Sequence, residues 1–292
     1  MRLSDRWKEY ALVDSSGGER LERWGDIWLI RPDPQVIWDT PKDKSLWGRA
    51  HACYERSSSG GGQWQKLKSM PEQWQISYGP LAFKISPTGF KHTGLFPEQA
   101  VNWDFMTDII KAAERPARVL NLFAYTGGAT LACAHAGASV CHLDASKGMT
   151  QWARDNAGLS GLDAAPVRWI VDDCLKFIQR EIRRGNRYDG IIMDPPSYGR
   201  GPGGEVWQLE SQLYTLVELA AQLLSEDALF FLLNTYSTGL SAGVMEAVLR
   251  LCLPASGDFS SGEIGLVQER GGIALPCGST AVWRGASPVT KA

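Results

Sequence analysis

After residue 95 the sequence alternates short apolar runs with longer amphipathic runs. The apolar runs have strand length and predict strands at residues 119–123, 140–143, 167–171, 191–193 and 229–233. The amphipathic runs predict helices at residues 98–113, 128–136, 148–159, 175–184, 209–224 and 243–252. This alternation is typical of an α/β fold, in which a mostly parallel sheet carries helices on both faces. The runs at 264–268 and 273–283 predict two final strands.

The first part of the chain differs, because short apolar pieces there are separated by turn residues. Gly79 and Pro80 lie between the apolar runs 74–78 and 81–85 and predict a hairpin turn. Tryptophan is frequent here, and packing of a thin β layer is favoured over a stacking surface for bases. We therefore expect a small β-rich module at residues 1–90 and the α/β domain at residues 91–292.

Charge and composition restrict the partners and the compartment. The formal net charge is -2, which argues against strong nonspecific binding to a polyanion. The first residues lack the apolar segment of a signal peptide, and no apolar run reaches membrane-spanning length. The six cysteines are scattered, which suits buried thiols in a reducing cytosol, and the four histidines lack metal-type spacing. We expect a cytoplasmic protein with no membrane segment and no metal.

Four successive predicted strands end in a glycine turn or an acidic side chain. The first leads into Tyr125-Thr126-Gly127-Gly128, and the next three end at Asp144, at Asp172-Asp173 and at Asp194. The carboxyl ends of parallel strands meet at one edge of the sheet, where ligands bind. Glycine lets a ligand approach the backbone closely, and an acid about 20 residues beyond the glycine turn suits ribose hydroxyls. The pattern predicts a site for a nucleoside-type cofactor.

The kind of cofactor follows from what the glycine turn lacks. It is not Gly-x-Gly-x-x-Gly, which weakens a dinucleotide interpretation, and the chain has no phosphate-binding Gly-x-x-x-x-Gly-Lys-[Ser/Thr]. S-adenosylmethionine carries an adenosine without phosphates, so a close turn and a ribose-binding acid suffice for it.

The fourth strand runs into Asp194-Pro195-Pro196-Ser197-Tyr198. Each proline removes a backbone donor and fixes φ, and the residue before a proline is held extended. The result is a stiff lip with an acceptor side chain at the binding edge of the sheet. The alternative is a simple break between strand and loop.

These residues resemble the class I S-adenosylmethionine-dependent methyltransferases, over about residues 88 to 240. The matching segments are 93–99, 119–128, 143–146, 172–173 and 193–198. More narrowly they resemble the bacterial branch that contains the large-subunit ribosomal RNA methyltransferases. The resemblance implies a Rossmann-like, seven-stranded, mostly parallel sheet whose last two strands form a hairpin. It implies S-adenosyl-L-methionine as cofactor and RNA, ribosomal RNA above all, as substrate.

The resemblance also implies roles for single residues. Phe123, Tyr125, Thr126 and Gly127 would line the methionine side of the cofactor. Asp144 would take the ribose, with Ala145 and Ser146 in the same motif, and Asp173 and Cys174 would take adenine. Gln99 would close over the cofactor, and Asp194 would face both cofactor and acceptor. Pro195, Pro196 and Tyr198 complete the predicted catalytic set, in which Tyr198 stacks on a flipped base.

The sequence departs from that family in two places. Relatives that methylate carbon 5 of cytosine often carry Ser-Cys-Ser-Gly after the fifth strand, and here the matching run is Tyr236-Ser237-Thr238-Gly239. Serine is a poor substitute for a thiolate in attack on a pyrimidine, so we expect direct transfer without a covalent intermediate. The basic RNA-binding domain of several relatives is not recognisable in the first part of the chain.

Other functions stay open at this point. The substrate could be a small molecule or a protein side chain, and the domain could be a non-catalytic module that binds the cofactor. Binding of RNA would need local clusters of cations, such as Arg180, Arg183, Arg184 and Arg187 or Lys66, Lys68, Lys84 and Lys91. The arginine group can equally be the solvated end of a helix.

A hydrolase is the competing chemistry. Gly239-x-Ser241-x-Gly243 lies between a predicted strand and a predicted helix, which is the setting of a nucleophile elbow. That fold needs its histidine after the serine, and all four histidines precede Ser241. We therefore expect Ser241 to be the N-cap of the following helix.

Overall fold

The structure is a computed structural model, and it describes residues 1–57, 61–200, 206–237 and 239–286. The chain divides into two compact units. Unit 1 comprises Met1–Val101 and Ile264–Cys277, and unit 2 comprises Asn102–Glu263 and Gly278–Ala292. The domain bounds expected from the sequence, residues 1–90 and 91–292, stay a prediction.

Unit 1 is rich in β structure, as the sequence predicts. Its elements are β1 (Arg2–Leu3), β2 (Tyr10–Ser16), β3 (Glu19–Trp24), β4 (Ile27–Pro32), α1 (Lys44–Trp47), β5 (Ala52–Arg56), β6 (Gly62–Lys66), β7 (Trp74–Tyr78), β8 (Leu81–Ile85) and a 3₁₀ turn (Pro97–Gln99). β2 to β6 form one sheet in chain order, and only its β4–β5 pair is parallel. β7 and β8 form the predicted hairpin around Gly79 and Pro80.

Buried tryptophans and a buried ion pair hold unit 1 together. Trp28 and Trp47 pack with Val13 and Leu21, so these indoles form a core as the sequence favoured. The carboxylate of Glu22 accepts from Nε and Nη2 of Arg31 at 2.6 and 2.7 Å. Burial alone would raise the pKa of Glu22, but the neighbouring arginines outweigh it and lower that pKa to about 2.

Unit 2 contains the α/β part of the chain. Its helices are α2 (Ala100–Ala112, which begins in unit 1), α3 (Gly128–His135), α4 (Lys147–Leu159), α5 (Cys174–Arg184), α6 (Leu209–Ala221) and α7 (Ala242–Cys252). Its strands are β9 (Arg118–Leu122), β10 (Ser139–Asp144), β11 (Val167–Val171), β12 (Gly190–Met193), β13 (Tyr198–Arg200), β14 (Val206–Gln208), β15 (Phe230–Thr235), β16 (Asp258–Val267) and β17 (Ala274–Arg284). The last two strands continue into unit 1, where Arg2 and Leu3 of β1 pair with Ile264 and Gly265.

The large sheet confirms the expected fold. Its order runs β1, β16, β17, β15, β12, β9, β10, β11, so it has eight strands where seven were expected, because the two-residue β1 adds to its edge. The pairs among β15, β12, β9, β10 and β11 are parallel, and β17 runs antiparallel to β15. β12 and β15 are buried along their whole length, which explains why their sequences are continuous apolar runs. The strands β9 to β12 all point their carboxyl ends to one edge.

Some element bounds differ from the sequence-based expectation. The helix expected from residue 98 begins as the 3₁₀ turn, because Pro97 takes its first position. The strands expected at 264–268 and 273–283 are longer or shifted, at Asp258–Val267 and Ala274–Arg284. The antiparallel pair β13–β14 was not expected, since three-residue strands beside a glycine-rich segment read as loop. Within the described residues, no helix has the length and apolar character needed to cross a membrane.

Candidate functional site: a nucleoside cradle and an Asp-Pro-Pro lip

The turn after β9 has an unusual backbone. Phe123 and Tyr125 have φ values of 56° and 51°, and Gly127 has φ of 88°. Such left-handed conformations cost non-glycine residues about 1–3 kcal/mol and cluster at functional sites. Asp144 supports the turn, because its Oδ2 accepts a 2.8 Å hydrogen bond from the Tyr125 backbone N–H. Thr126 is buried, and its carbonyl accepts from Asn156 Nδ2 at 2.9 Å.

Both glycines of the turn lie against neighbouring helices. A Cβ on Gly127 would lie 2.9 Å from the Cβ of Ala153 in α4, and one on Gly128 would lie 2.5 Å from Cζ2 of Trp103 in α2. Helix packing therefore requires glycine here in addition to any ligand. The same packing brings the N-terminus of α3 to the edge where β10, β11 and β12 end.

Asp144 ends β10 and bridges two loops. Its Oδ1 accepts from the Ser146 backbone N–H at 2.8 Å. Burial raises the pKa of Asp144, and the bonds from Ser146 and Tyr125 partly oppose that rise. An ionised carboxylate offers about four lone-pair sites, so two remain after these bonds. Ribose hydroxyls can use them. Ser146 caps α4 by accepting from Met149 N, and Ala145 between them is exposed.

Asp173 is the N-cap of α5, since its Oδ1 accepts from Lys176 N at 2.9 Å. Asp172 accepts from the Asp173 N–H and pairs with Arg180. The thiol of Cys174 is buried, which raises its pKa. A capping role therefore explains Asp173 on its own, while the residue also borders the cavity described next.

A cavity of about 370 Å³ opens beside these strand ends. Its lining comprises Phe123, Asp173, Cys174, Leu175, Lys176, Val206, Trp207, Ser211, Gln212, Thr215 and Leu216. The rings of Phe123 and Trp207 lie 5.7 Å apart at an angle of 43°. The volume lies within the range of small-molecule sites, about 300–1,000 Å³. An apolar slot with aromatic walls and a carboxylate at its rim fits an adenine ring.

The lip after β12 is held by two hydrogen bonds. Asp194 Oδ1 accepts from Asn234 Nδ2 at 2.9 Å, and the Pro196 carbonyl accepts from Trp207 Nε1 at 2.6 Å. Pro195 is buried, whereas Pro196 is exposed. Tyr198 is 52% exposed.

The structure thus gathers most of the predicted residues at one edge of unit 2. Gln99 is the exception, because it lies at the end of the 3₁₀ turn in unit 1. Its closure over the cofactor stays a prediction, as do the cofactor and catalytic roles of the other residues. Sequence reasoning missed Trp207 and Asn234. Trp207 belongs to no local sequence motif. Asn234 lies near the end of an apolar strand, where its sequence context gives no sign of a functional role.

The competing interpretations find little support here. Ser241 is the N-cap of α7, as expected, and accepts from Val244 N at 3.3 Å. Thr238, in the run that replaces the family's cysteine motif, lies outside the described residues. In the described parts of the chain, no three side chains of His, Cys, Asp or Glu come together as a metal site.

Comparison with known proteins agrees with this geometry. Residues 48–238 match the model of a family described as S-adenosylmethionine-dependent methyltransferase. A crystal structure of the SAM-dependent methyltransferase from Agrobacterium tumefaciens is 38% identical, with a TM-score of 0.93, covering 98% of this chain and 93% of that one. A methyltransferase structure from Streptococcus mutans shares the fold at 17% identity and a TM-score of 0.74, covering 96% of this chain and 76% of that one.

A curated relative extends the comparison. The Chromohalobacter salexigens protein named ribosomal RNA large subunit methyltransferase K/L is 31% identical over 73% of this chain. The present chain spans 28% of that relative's length. The family match covers well over half of the chain and includes the turn after β9, the acids at the strand ends and the lip. The chain therefore belongs to the S-adenosylmethionine-dependent methyltransferase family, and S-adenosylmethionine is its cofactor.

Proposed function

We propose that this chain methylates a base of RNA, with ribosomal RNA as the favoured substrate, by direct transfer to a ring or amino nitrogen. The observation that carries the proposal is the lip, where the anchored carboxylate of Asp194 lies four residues from the exposed ring of Tyr198. A flipped base needs both a stacking surface and hydrogen-bond acceptors at its edge.

The residues divide the work as follows. Asp144 holds the ribose, and the turn at Tyr125 to Gly127 holds the methionine part. Adenine lies in the slot between Phe123 and Trp207, so Phe123 takes the adenine side instead of the methionine side that the family resemblance implies. Bound S-adenosylmethionine supplies a methyl group that its sulfonium already activates. Asp194 and the Pro195 carbonyl orient the acceptor nitrogen and accept its hydrogen bond, and the proton that this nitrogen loses as its bond to the methyl carbon forms is released to water. Alignment supplies most of what remains, since holding the reactants in line accounts for a large part of a barrier.

Direct transfer is supported by the state of the cysteines. All six thiols have a raised pKa, chiefly because of burial. A nucleophilic cysteine needs a lowered pKa. Ser237, at the family's cysteine position, donates to Glu210 Oε1 at 3.2 Å. We expect no covalent adduct with RNA that contains 5-fluorocytosine, and a stable adduct in mass spectrometry would contradict direct transfer.

RNA as the substrate class is supported by the names of the curated relatives. The arginine and lysine groups considered above add little support for RNA binding. Arg180 pairs with Asp172 and Arg184 pairs with Glu181. Within the described residues, the exposed Arg183 and Arg187 are the members of that group that pair with no carboxylate. Lys91 donates to the Pro32 carbonyl, and burial lowers its pKa to about 8. We therefore expect RNA affinity to depend on base contacts more than on phosphate contacts, with a shallow salt dependence.

The deciding experiment compares ribosomal RNA from cells with and without the gene. Nucleosides are quantified by mass spectrometry after digestion. We expect one methylated nucleoside to disappear and to return with the wild-type gene and with Asp108→Ala, an exposed acid on α2. It should not return with Asp194→Ala. An unchanged nucleoside profile would overturn the RNA proposal.

The same cells test the remaining functions. Loss of a methylated protein side chain or metabolite, with unchanged RNA, would assign the chain to that substrate instead. Calorimetric binding of S-adenosylmethionine without any transferred methyl group would indicate a non-catalytic module.

A further inference from the structure

Asp194 is connected to the sheet by a series of hydrogen bonds between buried polar side chains. Asn234 Nδ2 donates to Asp194 Oδ1 at 2.9 Å, and Thr280 Oγ1 donates to Asn234 Oδ1 at 2.7 Å. Asn102 Nδ2 donates to Thr280 Oγ1 at 3.2 Å. Asn102, Asn234 and Thr280 are each at most 1% exposed, and all lie in unit 2.

Which group donates and which accepts in this series of hydrogen bonds follows from the ionised carboxylate at its end. An ionised carboxylate only accepts, so Asn234 must turn its NH₂ group to Asp194 and its carbonyl to Thr280. That carbonyl needs a donor, and the Thr280 hydroxyl is the donor within reach. The oxygen of Thr280 then accepts from the Asn102 amide. Reversal of any one amide would leave a buried donor facing a donor, which is costly.

We propose that Asn234 is a positioning residue for Asp194, and that Thr280 and Asn102 fix the orientation of its amide. The amide of Asn234 holds one carboxylate oxygen in place and thereby sets the direction in which the second oxygen points. The inference rests on the proposed methyl transfer at Asp194. It goes beyond that proposal because it assigns a role to three residues of β15, β17 and α2 that need not touch either substrate.

The fold provides a matched control. Asn121 in β9 donates to Thr130 Oγ1 at 2.9 Å, and both side chains are buried in the same unit. Each threonine hydroxyl accepts from an asparagine amide, Thr130 from Asn121 and Thr280 from Asn102. The hydroxyl hydrogen is directed to His142 Nδ1 in the first case and to Asn234 Oδ1 in the second. Asn121 and Thr130 make no bond to Asp194. Thr280→Val and Thr130→Val therefore remove equivalent hydroxyls, while only the first should disturb the lip.

The kinetic experiment uses RNA from cells that lack the gene as methyl acceptor. We expect Thr280→Val to lower kcat by about tenfold to a hundredfold, because small misplacements of a reacting group have effects of that size. Affinity for S-adenosylhomocysteine and KM for RNA should stay within about twofold. Thr280→Ser keeps the hydroxyl and should restore kcat, and Thr130→Val should leave kcat within about threefold of wild type. Equal loss of kcat in Thr280→Ser, or in Thr130→Val, would overturn the proposal.

A spectroscopic readout keeps the inference independent of the substrate. The chain has five asparagines, so selective nitrogen labelling gives five pairs of side-chain NH₂ signals in NMR. The Asn234 signal is assigned by its loss in Asn234→Leu. It should be shifted downfield and protected from hydrogen exchange in wild type, and Thr280→Val should remove that protection.

Failure of the proposed RNA methylation can be distinguished from failure of the proposed positioning of Asp194. Absence of methyl transfer by wild type would reject RNA as substrate, and the amide signals would then decide the positioning alone. An Asn234 amide that keeps its shift and protection in Thr280→Val would overturn the orientation by Thr280.

Discussion

The indole N–H of Trp207 donates a 2.6 Å hydrogen bond to the carbonyl of Pro196. The same indole forms a wall of the cavity, 5.7 Å from the ring of Phe123. One side chain therefore contacts the proposed adenine slot and the proposed acceptor lip at once. The short β13–β14 pair, whose registers join Gly199 to Trp207, brings the indole to this place.

Substitution at Trp207 should separate these two contacts. Trp207→Phe keeps an aromatic wall but loses the donor, so we expect methyl transfer to fall about tenfold, the equivalent of one hydrogen bond. Binding of S-adenosylhomocysteine by calorimetry should change by less than about threefold. Trp207→Ala loses the wall as well and should weaken that binding about tenfold. Equal cofactor affinity in all three proteins would show that the indole is not part of the adenine slot.

A second prediction concerns Asp144, whose two oxygens each accept one backbone N–H. Asp144→Asn keeps the size of the side chain but replaces one acceptor with a donor and removes the charge. We expect affinity for S-adenosylmethionine to fall about tenfold to a hundredfold, because hydrogen bonds to a charged group are worth about 1.5–3 kcal/mol. Asp108→Asn, on an exposed face of α2, is the control and should bind like wild type. Calorimetry that gives wild-type affinity for Asp144→Asn would remove Asp144 from the site.

The acids of the site were predictable because of their position in the sequence. Asp144 and Asp194 directly follow apolar runs, and parallel strands bring their carboxyl ends to one edge. Asp173 was predictable in place but not in its local bonding, since a carboxylate at that position also caps α5. The sequence alone does not distinguish a cap from a ligand-binding acid.

The supporting residues could not be predicted, because their contacts depend on the order of the strands. Asn234 forms a hydrogen bond with Thr280, which lies 46 residues later in the sequence. This contact exists because β17 pairs with β15 in antiparallel orientation. Trp207 reaches Pro196 through two strands of three residues, which are too short to leave a periodic pattern. Local periodicity identifies strands but does not state which of them are neighbours.

A third prediction separates backbone strain from crowding in the glycine turn. Gly127 has φ of 88° and would place a Cβ 2.9 Å from Ala153 and 3.1 Å from Leu131. Gly137 has φ of 99° but has nothing within 4 Å of the same position. We expect Gly137→Ala to lower the free energy of unfolding by about 1 kcal/mol and Gly127→Ala by about 2–4 kcal/mol. Urea unfolding measures both, and equal losses would show that crowding at Gly127 relaxes without cost.

The last prediction uses His142, which is fully buried in β10. Its Nδ1 lies 2.9 Å from Thr130 Oγ1, and its ring lies 4.8 Å from that of Trp169. Thr130 already accepts from Asn121, so its own hydrogen is directed to Nδ1 and the imidazole is neutral. Burial lowers the pKa of His142 from 6.5 to about 3, and Arg154 adds to the effect.

The sign of the resulting pH dependence follows from proton uptake. Below pH 6.5 the unfolded chain binds a proton at this residue, and the folded chain does not until about pH 3. Stability is therefore lost as the pH falls through this window, by up to about 1.4 kcal/mol per pH unit. Between pH 7 and pH 5 the loss should be about 2 kcal/mol. His142→Gln should reduce the difference between the two pH values by that amount, whatever its absolute stability. The exposed His135→Gln should retain it, and an unchanged difference in His142→Gln would mean that His142 is protonated in the folded protein.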